Sequence, residues 1–394
     1  MLIATAILLL GLLAGIGAAQ LRGLRLGGVI VVPLVAVYLL RSFSTFPVFV
    51  LSTVAAYVSL RFVKARLPLY GRQLYVISIA VGALVPITIF EFLALDLGLR
   101  RMIAEIEFLG SILPGIAAYN FHRLSVEDRV LDAVVSLAVL LFLAVVGIGL
   151  TIAVGLTPLA QATPPLLLSP ESDIAIAFGL TVDRPPLPII ASNRLTIGVL
   201  AVGMVMGELV RARYGLRLGG VIAVPLVVLL SFRNGWMLPL WLLTGVLVYV
   251  SVQAVHRWTL LYGRVLLATS VIFGLLAAIS SVAVIPATHG VLPFFIGLLA
   301  GVTAYNLHVS SPAERPATLA AILALLVVIT FLARLFVVPP PGGMLRTVPV
   351  ESLVVGAALL GPACWALYRL ERIRPAPAAL SGIEPDTKRG GEQR

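Results

Sequence analysis

Thirteen continuous apolar runs, separated by short stretches rich in Arg, Gly and Pro, organise this chain. The runs do not alternate polar and apolar positions, so they predict helices rather than the strands of a barrel. Their spans are roughly 2–20, 26–40, 46–62, 73–95, 106–120 and 130–154, then 194–210, 218–232, 237–254, 264–286, 291–306 and 316–338, and finally 350–368. A bilayer core about 30 Å thick needs about 20 helical residues. The runs 26–40, 218–232, 106–120 and 291–306 are short and rich in Gly and Pro. Crossing and re-entry both remain open for these four.

The pattern is written twice. Residues 24–35 read LRLGGVIVVPLV and residues 216–227 read LRLGGVIAVPLV, a shift of 192 with 11 of 12 positions identical. The same shift carries Leu69-Tyr70-Gly71-Arg72 onto Leu261-Tyr262-Gly263-Arg264, Gly15 onto Gly207, Tyr57 onto Tyr249 and Gly82 onto Gly274. A third motif, Ala118-Tyr119-Asn120-Phe121-His122, recurs as Ala304-Tyr305-Asn306-Leu307-His308 with a shift of 186. The chain is a tandem duplication.

Composition agrees. The chain is 60% hydrophobic and 11% charged, against about 25% charged in soluble domains. Basic residues follow a topology. With the N-terminus outside, the inside loops and tail hold 20 Arg and Lys, among them Arg22, Arg25, Arg61, Lys64, Arg66, Arg72, Arg123 and Arg129 in the first copy, and the outside loops hold 7. That bias follows the positive-inside rule. Six crossings per copy give both copies one orientation, so they should be parallel repeats about an axis along the membrane normal; a re-entrant segment in each would invert them. The first 20 residues lack a basic start and Gly15 recurs internally, so this run is expected to be part of the fold, not a cleaved signal.

The fold class expected is an all-α polytopic membrane protein: two tandem repeats of about six hydrophobic segments plus one C-terminal transmembrane helix. The parts are a first membrane repeat at 1–155, a Pro-rich external linker at 156–193, a second repeat at 194–338, an external break and final helix at 339–369, and a disordered cytoplasmic tail at 370–394. The linker's Pro, Ser and Thr content argues against a helix there.

Candidate functional residues lie in the repeated motifs. Arg25, Gly27, Gly28 and Pro33, with Arg217, Gly219, Gly220 and Pro225, open short apolar segments. They suit either tight packing with a kink or a broken helix whose free backbone lines a polar path. Tyr70, Arg72, Tyr262 and Arg264 sit at predicted cytoplasmic helix starts; both an interfacial anchor and an anion contact fit them. Asn120, His122, Asn306 and His308 end a short segment, where they suit a helix cap, a loop bond or a contact with substrate. Glu91, Glu208 and Arg334 are ionisable groups at or near spans but do not recur. Cys364 is the only cysteine, which excludes a disulfide framework, and the four scattered histidines give no metal site. The sequence contains no Walker, G-x-S-x-G or HExxH motif. No catalytic role, metal or cofactor is expected.

In these motifs the chain resembles the PgsC/CapC family, the small membrane subunit of poly-γ-glutamate (capsule) synthesis. Family members carry a Gly-Gly…Val-Pro stretch, a Leu-Tyr-Gly-Arg and a Pro-Gly-Leu-Ile-Ala-Asn. The corresponding residues are Gly27, Gly28 and Pro33, Leu69–Arg72, and Pro114-Gly115 through Asn120; in the second copy they are Gly219, Gly220 and Pro225, Leu261–Arg264, and Ala300-Gly301 through Asn306. The resemblance places Pro114 and Gly115 among the broken-helix residues. It implies a non-catalytic subunit in the plasma membrane, C-terminus cytoplasmic, that supports synthesis and export of the polymer. The partners it implies are a cytoplasmic ATP-dependent amide ligase, a membrane-anchored accessory subunit and the polyanionic polymer, with no nucleic acid. The net charge of +11 fits a polyanion or anionic headgroups. A stand-alone transporter or flippase for an anionic or lipid-linked substrate, and a simple membrane anchor, are the alternatives.

Overall fold

A computed structural model describes residues 1–67, 71–96, 109–155, 157–158, 162–182, 193–216, 218–220, 222–285, 287–347 and 350–373. The first copy holds α1 (Leu2–Arg22), α2 (Val31–Arg41), α3 (Thr45–Arg66), α4 (Arg72–Asp96), α5 (Leu109–His122) and α6 (Val126–Val154). A short α7 (Asp173–Phe178) follows. The second copy holds α8 (Asn193–Tyr214), α9 (Ala223–Arg233), α10 (Met237–Thr259), α11 (Gly263–Val282), α12 (Val291–Val309) and α13 (Arg315–Arg334), and α14 (Val350–Ile373) closes the chain. Among the described residues there is no strand, and 8 helices are long and apolar enough to cross a membrane. Side chains such as Leu141, Phe142 and Val145 on α6 are exposed, as befits a surface facing lipid.

The short segments resolve by their neighbours. α2 has 11 residues, about 16 Å, too short to cross alone. A Cβ on Gly15 would meet Val29 at 3.2 Å and one on Gly11 would overlap Pro33 at 2.5 Å, while Gly147 lies beside both Ile7 and Leu40. Residues 29–40 therefore run back along α1 to the end where α1 begins. The unwound stretch before α2 and the helix together make the return crossing. α12, at 19 residues, starts at that end and finishes at the other, so it crosses whole.

One end of the bundle gathers residues 22–30, 122–126, 211–216 and Arg264; the other gathers the linker and residues 339–347. Gly27 lies against Ala117 of α5, and Gly219 against Thr303 of α12. Each copy thus starts its broken segment at the end where its fifth helix finishes. The two copies run the same way, as parallel repeats. α1 packs on α11 and α8 on α4, so each copy's first helix also braces the other copy.

Two expectations change. The linker is a packed cap with a helix of its own, not a loose stretch. Leu166, Leu167 and Leu168 are buried. Thr163 Oγ1 accepts from Leu2 N at 3.3 Å, Pro165 O from Gly290 N at 2.9 Å and Asp173 Oδ2 from Phe43 N at 2.7 Å. Glu171 pairs with the buried Arg41 at 2.9 Å. Hydrophobic residues spaced through the Pro-rich stretch supply the packing that composition hides. At the C-terminus the helix runs through Ile373, and Glu371 pairs with Arg213 of α8, so residues 370–373 belong to α14. The remainder of the expected tail lies outside the described residues.

Candidate functional site

The first motif builds a turn, not a kinked helix. Leu26, Gly27 and Gly28 take φ of 49°, 61° and 126°, left-handed or beyond, which suits glycine and strains leucine. Asp132 of α6, wholly buried, holds this turn. Its Oδ1 accepts from Arg25 N at 2.6 Å and Leu26 N at 2.8 Å, and its Oδ2 from Gly27 N at 3.3 Å. Three consecutive N–H groups around one carboxylate form a nest that offsets the strain. Asn120 Nδ2 donates to Gly27 O at 3.1 Å and to Ile116 O at 2.9 Å. Pro33 is the third residue of α2 and Pro225 the third of α9. A first-turn N–H has no intrahelical acceptor, so neither proline breaks its helix or frees a carbonyl. The break lies before the helix, at residues 23–30. Arg217 lies outside the described residues; Gly219 and Gly220 repeat the positive φ, at 50° and 108°.

Pro114 and Gly115 lie within an unbroken α5. Gly115 serves close packing: a Cβ there would lie 2.6 Å from Ile79 Cα, and Gly82 abuts Gly115 backbone in turn. Ser78 Oγ donates to Gly115 O at 2.5 Å, and the second copy repeats the bond as Ser270 Oγ to Gly301 O at 2.6 Å.

The second motif is described mainly in the second copy. Gly263 turns the chain at φ 62°, Tyr262 points out at 81% exposed, and Arg264 points inward. Tyr70 and the Arg72 side chain lie outside the described residues.

The inward residues meet. A cavity of about 400 Å³ lies between the copies. Both copies line it with matching positions: Gly28 and Gly220, Leu34 and Leu226, Asn120 and Asn306. It therefore sits on the axis that relates the repeats, where parallel-repeat transporters also place their sites. Arg264 lines it at the basic end. Arg25 and Arg264 feel each other's charge and that of Arg123, with Asp132 the opposing charge. Arg25 Nη1 is buried without a hydrogen-bond partner. Asp132 already accepts three N–H groups. The mouth is a cluster of cations with donors left over, the chemistry that holds carboxylate or phosphate.

This duplicated broken segment, with its arginine-lined axial cavity, can be set beside known proteins. The model of a family described as "Capsule biosynthesis CapC" matches residues 10–130 and 202–316. The chain belongs to the CapC family. The two matched stretches fall one in each repeat, so this CapC protein carries the family's domain twice. No curated protein and no solved structure matches the chain.

Not every predicted residue of this CapC protein reaches the cavity. His122 faces Tyr57, ring centroids 6.2 Å apart, and His308 faces His256 at 4.9 Å; neither lines the cavity. Glu208 pairs with Arg211 at 3.5 Å. Arg334 caps the external break, donating to Val337, Leu345 and Arg346 carbonyls. The Glu91 side chain lies outside the described residues. Among the described residues no group of His, Cys, Asp and Glu is placed to hold a metal.

Tyr119 and Tyr305 belong to the third repeated motif but were not chosen as site residues, and both line the cavity. Arg129 and Arg315 were not chosen either. Arg129 donates to Tyr57 Oη at 2.9 Å, and Arg315 lies 6.0 Å from the Tyr249 ring. All recur at the 192 or 186 shift, so a search of the whole chain at those shifts finds them. Asp132 gives no such signal, because the equivalent position is Thr318.

Proposed function

We propose that this CapC protein is a non-catalytic membrane subunit of a poly-γ-glutamate synthesis and export complex, its arginine-rich end cytoplasmic. The observation that carries the proposal is that residues of all three repeated motifs line one axial cavity, with Arg264 on its wall and Arg25 and Arg123 near enough for the three charges to act on one another. An enzyme needs a nucleophile, a general base or a metal in such a site; this one offers guanidinium, amide and phenol groups. Cationic donors suit a chain of carboxylates, and a basic face suits an acidic partner enzyme. The cytoplasmic ligase makes the polymer, and the basic end of the bundle attracts it. The membrane-anchored accessory subunit completes the assembly. The test is purification of the tagged protein from its native membrane in mild detergent, followed by mass spectrometry. Recovery of an ATP-dependent amide ligase supports the reading. A protein that comes alone and moves anions in liposomes instead supports the stand-alone transporter.

A further inference from the structure

The interior of the axial cavity does not match a polyanion. Beyond Arg264, two asparagines and the tyrosines Tyr75, Tyr119 and Tyr305, its walls are hydrocarbon, Leu34, Leu226 and Phe295 among them. Behind the wall, Tyr38 stacks on Phe295 with ring centroids 5.9 Å apart. A chain of carboxylates drawn past Arg264 would leave water for a few neutral amide and phenol donors, with no further counter-charge on the wall. An apolar void of this kind stays dry or takes an apolar guest. At about 400 Å³ it falls within the range of sites that hold an organic ligand, about 300–1,000 Å³.

The mouth demands the opposite chemistry. Arg25, Arg123 and Arg264 bring like charges together, and the nearby Asp132 spends its oxygens on backbone N–H groups. Arg25 Nη1 has no partner although buried. Arg123 also stands 5.8 Å from the Tyr119 ring, which ties it to a residue of the cavity wall. One compact anion at the level of the basic end would bridge these groups, and guanidinium geometry suits phosphate oxygens.

We infer that the axial cavity binds one anionic phospholipid, its phosphate held by Arg25, Arg123 and Arg264 and one acyl chain laid between Leu34 and Leu226. This goes beyond the proposed function and does not depend on it. It gives the two halves of each observation one ligand: cations without counter-ions at the mouth, and hydrocarbon walls behind them. It also places the polymer's route elsewhere than the cavity interior.

The test is photolabelling of the purified full chain in neutral detergent. The probe is phosphatidylglycerol with a diazirine in one acyl chain. Peptide mass spectrometry should find adducts on the cavity wall, at Leu34, Leu226 or Phe295. Arg264→Gln should reduce them about fivefold, the loss of one charge-assisted contact. Leu226→Trp, which fills the space, should remove them; if that variant does not fold, the wild-type map and Arg264→Gln decide alone. Adducts confined to lipid-facing positions such as Leu141 and Val145 would overturn the inference. Equal cavity labelling by phosphatidylcholine with the same diazirine would overturn its anionic part. Displacement of the probe by inorganic phosphate alone would assign the mouth to a free anion and overturn the lipid. No ligase or polymer is present, so failure here and failure of the proposed function are separate results.

Discussion

Asn120 donates through Nδ2 to the carbonyl of Gly27 at 3.1 Å, across 93 positions of sequence, and ties the third repeated motif to the first. The second copy makes the same tie with a different residue: Thr303 Oγ1 donates to Gly219 O at 3.3 Å. The motifs recur together because each holds the other in place at the cavity wall. Replacing Asn120 by Ala should cost about 1 kcal/mol, the net worth of a partly buried hydrogen bond, read as a lowered Tm in detergent. Thr303→Val should cost a similar amount. No change in either would mean that the tie does not hold the turn.

Asp132 should matter more. Asp132→Ala leaves three N–H groups of a strained turn without their acceptor, at about 1–3 kcal/mol for each buried group left unmet. We expect little folded protein in the membrane, and partial recovery with Asp132→Asn, which keeps an acceptor oxygen. Thr318→Ala, at the equivalent position, should change stability by less than about 1 kcal/mol, because the Thr318 hydroxyl has no hydrogen-bond partner. Equal effects at the two positions would contradict the difference between the copies.

Close helix contact predicts a third result. A Cβ on Gly301 would lie 2.7 Å from Ser270 O, within the volume α11 occupies. Gly301→Val should separate α11 and α12 and cost about 1–3 kcal/mol, as overpacking does. Gly245→Val, at a position where a Cβ meets nothing within 4 Å, is the control that should leave membrane abundance unchanged.

The cap between the copies makes a fourth. Arg41 is buried and Glu171 nearly so. Glu171→Ala removes a charge-assisted bond to the buried Arg41 and should lower stability by about 1–3 kcal/mol. Limited proteolysis around residues 163–173 should then become fast. Unchanged protection would mean that apolar packing of Leu166–Leu168 alone holds the cap.

Much of this was legible in the sequence. The apolar runs marked the helices because a membrane helix must be apolar over most of its length. Exact repetition marked Gly28 and Asn120, with Gly220 and Asn306, and it marked Arg264; these five line one cavity, while the Arg72 side chain lies outside the described residues. Pro33 and Pro225 misled: a proline after two glycines looks like a kink, but position within the helix decides its effect, and both fall in the first turn. Asp132 was silent, because its partners lie more than a hundred residues away and its counterpart is Thr318. The linker was misread because Pro and Ser speak for a loop, while the burial of Leu166–Leu168 arises only in the assembled bundle. Tyr262 was grouped with Arg264 by adjacency, yet the turn at Gly263 sends the two side chains opposite ways.

Arg264 carries the central claim, that the repeated motifs build an anion site at the mouth of the axial cavity. The most direct measurement is secreted capsular polymer from cells carrying Arg264→Ala, with Tyr262→Ala beside it and membrane abundance of each protein recorded. The account predicts about a tenfold loss for Arg264→Ala, the effect of one charge-assisted contact, at unchanged abundance, and no loss for Tyr262→Ala. Normal secretion with Arg264→Ala, or an equal loss with Tyr262→Ala, would contradict it.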